Sequence, residues 1–188
     1  GAMVDAGLAP ARLAEGWRRL PRQVATVKFK SVRRSGIAAL AVDVKPRIRF
    51  RSASETERFL RRGRWPASVR DAVIGTFQRL VVAERAAHGG TGGHHGDLLV
   101  SADTVVDLVG VCWGLSALGI TALTVSPLPL GLVAPATAHL LKGLAVVPAP
   151  PAVRGEEIVT PTGAALVASL GAGRASGSFR VTATGAGA

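Results

Sequence analysis

Leu98-Leu99-Val100-Ser101-Ala102-Asp103-Thr104-Val105-Val106-Asp107 opens a stretch that runs through residues 108–118 to Gly119-Ile120-Thr121-Ala122-Leu123-Thr124-Val125, and its reading decides the fold. A short apolar run and then apolar positions broken only by Asp103 and Asp107 predict a strand at Leu98 to Val100 and a helix from Asp103 to about Leu118. Asp103 falls in the first turn, where the positive end of the helix dipole favours a carboxylate. The run Ile120 to Val125, closed by Ser126-Pro127, predicts a buried strand. This order suggests a parallel pair joined by a crossover helix. Leu108 to Leu141 carries no Asp, Glu, Lys or Arg, which raises a membrane span. Gly114, Gly119 and the prolines at 127, 129 and 135 interrupt it, so the reading is a buried core and no membrane partner.

Downstream lies Glu157-Ile158-Val159-Thr160-Pro161-Thr162-Gly163-Ala164-Ala165. Ile158-Val159 reads as a strand end and Ala164 to Leu170 as a helix, with Thr160 as N-cap and Pro161 in the first turn. Such a junction turns free N–H groups and a positive dipole end outward, which suits an anion. Ser126-Pro127-Leu128-Pro129-Leu130-Gly131 ends its apolar run in proline and glycine, the pattern of close backbone approach. Upstream, Pro10 to Leu20 reads as an amphipathic helix, and Val24 to Lys30 and Ile37 to Val44 as strands joined at Ser35-Gly36. Helices follow at Ala53 to Arg62 and Pro66 to His88. Five glycines between Gly89 and Gly96 mark a joint. The expected organisation is a basic α+β lobe at 1–90 with a β-hairpin and two helices, a Gly/His-rich joint at 91–97, and an apolar βαβ-like lobe at 98–188 carrying the S-P-L-P-L-G and T-P-T-G motifs. The fold class is α+β, or α/β, with a mixed sheet flanked by helices.

The 188 residues carry a net charge of +11, divided unevenly. Residues 1–90 hold 19 of the 23 Lys and Arg and 7 of the 12 Asp and Glu, whereas residues 91–188 hold 4 and 5. The basic half suits a phosphate-bearing ligand or nucleic acid, or forms a solvated face. Arg47, Arg49 and Arg51 stand at strand spacing and so share one face. Phe50, Phe59 and Trp65 are the aromatic residues interleaved with the arginines for base stacking. The one cysteine, Cys112, excludes an internal disulfide framework, fits a reducing cytoplasm, and reads as packing. No basic, apolar leader opens the chain.

Chemistry has to come from carboxylates and imidazoles. Asp103 and Asp107, four residues apart, share a helical face. They either hold a divalent metal or edge a solvated surface with Ser101 and Thr104. His94 and His95 lie in the glycine joint, and imidazole suits nickel.

Six blocks, in order, resemble the LarC family of nickel insertion proteins. Gly1-Ala2-Met3-Val4-Asp5-Ala6-Gly7-Leu8 is similar to its G-A-L-x-D-x-G turn, and Val32-Arg33-Arg34-Ser35-Gly36-Ile37 to its K-R-x-G-I hairpin. Ala83-Glu84-Arg85-Ala86-Ala87-His88-Gly89 is similar to A-E-A-x-x-H-G, and Asp103 to Gly110 to V-D-S-I-x-D-I-V-G. The S-P-L-P-L-G and V-T-P-T-G-A-A blocks complete the series. The resemblance implies insertion of nickel, as substrate metal, into an anionic pyridinium mononucleotide, a lyase-type step in maturation of lactate racemase. It implies His95, Asp97, Asp103 and Asp107 as metal or substrate positioning residues. It also implies phosphate or substrate contact by Ser126, Gly131, Thr160, Thr162 and Gly163. CTP and manganese are expected with a C-terminal domain, supplied separately, and a second copy of the chain is a further candidate partner. The competing expectation is a non-catalytic nucleotide- or nucleic-acid-binding protein.

The departures bear on activity. Where the family has H-F-H-E-V-G, this chain has His95-Gly96-Asp97-Leu98-Leu99-Val100. Leu98 can neither ligate nor transfer a proton, and Asp97 is a harder donor than His. The H-H-H-R run, the A-H-G strand and the F-S-G-x-S-G-D-M segment have no counterpart in these residues. Nickel insertion by the chain alone is therefore not expected.

Overall fold

Pro10 takes the first helical position, where its missing N–H costs nothing, and α2 runs Pro10–Arg18 after a single turn, α1 (Ala2–Asp5). The computed structural model describes residues 1–34, 36–87, 97–172 and 178–188. The joint expected at 91–97, with His94 and His95, lies outside the described residues up to Asp97. The hairpin forms as expected and is longer, pairing β1 (Ala25–Arg34) antiparallel with β2 (Ile37–Pro46) from Ala25↔Pro46 to Arg34↔Ile37. Gly36, at φ 82°, supplies the left-handed backbone a two-residue turn requires. β2 stops at Pro46, so Arg47, Arg49 and Arg51 do not share a strand face. The Arg47 N–H donates to the Val24 carbonyl at 2.8 Å and its Nε to Thr26 Oγ1 at 2.9 Å.

α3 (Ala53–Arg61) and α4 (Ala67–Ala87) follow as the sequence predicts. Ser52 Oγ caps α3 by accepting from the Glu55 N–H, while the Glu55 carboxylate accepts from the Arg51 N–H at 2.7 Å, a reciprocal arrangement close to a capping box. α4 buries Val69, Val73, Phe77 and Leu80 along one side.

The strand expected at Leu98 to Val100 is instead a 3-10 turn, Asp97–Val100. Its carbonyls are taken one by one: Leu98 accepts from the Thr104 hydroxyl, Leu99 from the Thr56 hydroxyl, both at 2.8 Å, and Val100 from the Phe50 N–H at 3.0 Å. With these partners in place no strand ladder is needed. α5 (Ala102–Ala117), capped by Ser101, is central and buried on most of its surface, with Asp103 and Asp107 exposed.

The buried strand expected at Ile120 to Val125 is corrected to a two-residue β3 (Leu123–Thr124), with Ile120 41% exposed. It pairs in parallel with β6 (Gly171–Ala172), so the crossover pair around α5 does not form. β4 (Leu128–Leu130) pairs in parallel with β5 (Val146–Pro148). Two or three residues per strand are too few for a covered sheet interior. α6 (Pro135–Leu140) and α7 (Pro161–Leu170) pack on α4 and on each other. Ile158-Val159 is irregular, not a strand end. The class is α+β: helices around α5, with two-stranded ribbons at the margins. Among the described residues no helix is long and apolar enough to cross a membrane.

One buried cluster draws on both sides of the joint, from Leu8 and Leu13 through Phe77 and Val109 to Ala165. Three indoles stitch it. Trp17 Nε1 donates to the Val106 carbonyl (3.0 Å), Trp65 Nε1 to Gly16 (2.9 Å) and Trp113 Nε1 to Arg12 (2.8 Å). Glycine lets the rings in: a Cβ on Gly16 would lie 2.5 Å from the Trp113 ring, and one on Gly63 2.1 Å from Trp65.

Candidate functional site

Ser101 Oγ accepts from the Asp103 N–H at 3.1 Å, which fixes the start of α5 and sets Asp103 and Asp107 on the same solvent-facing stripe. The Asp107 carboxyl is pushed up to about 6, chiefly by surrounding protein that limits its hydration and then by the Asp103 charge, with the Gly1 amino group drawing it down. Asp107 still meets water along its exposed surface, which moderates that effect. Burial lowers the Gly1 amine in turn, against the pull of Asp107. His95 and the Asp97 side chain fall outside the described residues. Among those described, no three His, Cys, Asp or Glu side chains converge as a metal cluster.

Ser126 is exposed just before β4. Gly131 is where the backbone comes close, and what it approaches is the chain itself: a Cβ there would lie 2.4 Å from the Glu156 carbonyl, which accepts from the Leu132 N–H at 2.9 Å. At the start of α7, Thr160 Oγ1 accepts from the Gly163 N–H at 3.2 Å, and the Ala164 N–H bonds to the Thr160 carbonyl. Pro161 has no N–H, so Thr162 carries the first-turn donor that these bonds leave over. The Thr162 side chain is buried, while Thr160 is exposed. Next to this helix the Thr137 and Ser169 hydroxyls are buried without a hydrogen-bond partner among the described residues. Cys112 is buried, its thiol pushed up to about 12 by loss of hydration, which leaves it a packing residue.

Sequence reasoning missed a cleft beside α5. A cavity of about 550 Å³ opens between the end of α2, the 21–24 arm, the start of β1 and Arg64, with Val106 of α5 in its wall. A second, of about 440 Å³, shares Pro21 and Arg22 with it and reaches Arg58 and Arg62 of the α3 end. The signal was the arginine count; what the linear sequence hides is that the 18–22 and 58–64 segments meet. The meeting is made by backbone: Arg64 N–H to the Arg19 carbonyl at 3.0 Å and Arg19 Nη1 to the Arg64 carbonyl at 2.9 Å. The aromatics expected to stack on bases are withdrawn, with Phe50 3%, Phe59 9% and Trp65 3% exposed.

The fold and its surfaces thus define an α+β protein with a carboxylate stripe on α5 and an arginine-rimmed cleft walled by Val106 of the same helix. The chain belongs to the nickel insertion protein family, whose model matches residues 1–188. A protein named for nickel insertion in Geotalea daltonii is 37% identical over 187 residues, covering 90% of this chain and 47% of the relative. One in Pelobacter propionicus is 34% identical over 209 residues, covering 100% and 52%. In a Nocardioides species, a protein named as a pyridinium-3,5-bisthiocarboxylic acid mononucleotide nickel insertion protein is 35% identical over 186 residues, covering 90% and 46%. The chain spans about half the length of the curated relatives it matches. No solved structure matches it.

Proposed function

We propose that this chain handles the mononucleotide and the metal in a nickel insertion protein, and that nickel enters as substrate, not as a resident cofactor. The observation that supports this most is the family match along the whole chain, together with the substrate named for the Nocardioides relative. Asp103 and Asp107 are the proposed nickel-positioning pair, with His95 and Asp97 from the preceding segment. The Asp103 charge already raises the proton affinity of Asp107, and a dication arriving between the two carboxylates would relieve that repulsion. Ser126, Gly131, Thr160, Thr162 and Gly163 are the proposed substrate-facing backbone of the 126–131 loop and the α7 start. Use of CTP and manganese is proposed for the residues that the curated relatives carry outside the matched span.

Calorimetric titration of nickel into the purified chain, with and without the thiolated mononucleotide, tests this reading. Binding that strengthens with the nucleotide and falls at least about tenfold in an Asp103→Asn, Asp107→Asn double variant supports it. Unchanged binding in that variant removes the aspartates from it. Adding nickel, CTP, manganese and the thiolated mononucleotide and then assaying apo lactate racemase tests the second half. Activation above a chain-free control would show that this span is sufficient.

The second reading, a binding protein without chemistry, is favoured by the arginine-rimmed cleft. Its nucleic-acid form loses support because Phe50, Phe59 and Trp65 are buried.

A further inference from the structure

We infer that the cleft between α2 and the start of β1 is a binding site for a phosphate monoester carrying a flat ring, a mononucleotide in size and charge. The pyridinium identity of the ring rests on the function proposed above; the phosphate and the apolar floor rest on the geometry alone.

The floor is apolar and fixed. Val24 is buried and Val106 belongs to the central helix. Trp17 is held by its bond to the Val106 carbonyl and packs on Gly110, where a Cβ would lie 3.1 Å from the ring. A volume near 550 Å³ falls within the range of small-molecule pockets, which pair an apolar lining with few polar groups.

The rim is cationic and unspent. Arg18, Arg22 and Arg64 line the main cavity, and Arg58 and Arg62 the adjoining one. Ion pairs engage Arg12, Lys30 and Arg61, and none of these five among the described residues. Arg19 is committed elsewhere, its guanidinium 4.7 Å from the Trp113 ring centre and bonded to the Arg64 carbonyl. Glu55, the carboxylate in the joined cavities, is engaged by the Arg51 N–H. Gathered guanidinium groups repel one another unless an anion joins them, and their forked donors match phosphate oxygens two at a time.

The shape favours a small ligand over nucleic acid. A strand needs a charged track with open aromatic platforms. Here Phe50 and Phe59 line the adjoining cavity, but they pack on each other, ring centres 5.1 Å apart, and are only 3% and 9% exposed, so neither is an open platform.

The test is calorimetry on the full chain with nicotinamide mononucleotide, nicotinamide riboside, adenosine monophosphate, inorganic phosphate and a single-stranded RNA oligomer. The mononucleotide is expected to bind at least about tenfold more tightly than the riboside, and Arg18→Ala or Arg22→Ala to weaken it about tenfold each, the worth of one charged hydrogen-bonding group. Arg79→Ala, on the distant face of α4, serves as control and leaves binding unchanged. All three arginines are exposed, and a melting curve for each variant confirms folding. Mononucleotide binding that survives the double variant Arg18→Ala, Arg22→Ala overturns the site while leaving the mononucleotide function standing. Adenosine and nicotinamide mononucleotides binding equally, both lost in the double variant, upholds the site and removes the support for a pyridinium substrate. RNA binding more tightly than any mononucleotide, or no binding by any phosphate probe, overturns the inference.

Discussion

The surface formed by residues 118–148, with Lys142 as its one charged residue, is more uniformly apolar than the seam between α2 and α5, where α2 carries Arg12, Glu15 and Arg18, yet it is the less firmly held. The seam is closed by three indoles, each bonded to a carbonyl and two of them set against glycines too close for any side chain. The other surface is held by ribbons of two and three residues and leaves Leu132 63% and Val147 42% exposed. Apolar composition marks what can be buried; a directional bond plus a close approach decides what is. On that account the seam bears most of the stability, and it fixes the helix that carries both the carboxylate stripe and Val106 of the cleft floor.

The sharpest way to break the contrast is to empty the seam. Trp65→Ala should lose about 3–5 kcal/mol, because it opens a cavity and also orphans the Gly16 carbonyl. Denaturant unfolding would measure it, and a loss below about 1 kcal/mol would erase the distinction. Gly16→Ala attacks the seam from the other side, pressing a methyl into Trp113, with an expected cost of about 1–3 kcal/mol. Thr160→Ala, which removes the cap of α7, should cost about 1 kcal/mol, and a thermal melt reads it.

Asp107 sharpens the comparison through pH. Its pKa is raised in the fold, so the unfolded chain ionises first: the penalty is absent below about pH 4, grows as pH rises towards about 6 and is constant above. Asp107→Asn should therefore raise the unfolding free energy at pH 7 and not at pH 3.5, by under about 1 kcal/mol because water reaches the group. A gain of equal size at both values would remove the electrostatic cause. Least of all, Leu132→Ser should stay within about 0.5 kcal/mol of the parent, measured by the same melts. A larger loss would mean that this surface is as closely packed as the seam.

What the sequence made legible was local. The β1–β2 hairpin, α4 and the capped start of α7 follow from periodicity and from Thr160 and Pro161, whose effects act within one turn, whereas sequence reasoning missed the Ser101 cap of α5. The 98–100 turn was not legible, because the Thr56 hydroxyl that claims the Leu99 carbonyl comes from 43 residues away. Nor was the short β3, whose apolar run looked buried but has only Gly171–Ala172 beside it. In the candidate site the Asp103 and Asp107 stripe was visible from spacing alone. The cleft was not, since the 18–22 and 58–64 segments meet through the Arg19–Arg64 and Gly16–Trp65 hydrogen bonds, which span more than 40 positions.

The indole bonds also set a timetable for folding. They join residues 49, 89 and 101 positions apart, separations that place this part of the topology among slowly closing, non-local contacts. At about 5–20 residues per second, roughly 5–20 s of synthesis separate Arg12 from the tryptophan that holds its carbonyl. Until then α2 is a nine-residue helix, too short to persist alone in water. A nascent chain halted before Trp113 should accordingly expose the 10–18 segment to protease, and one that has passed it by a tunnel's length should protect it.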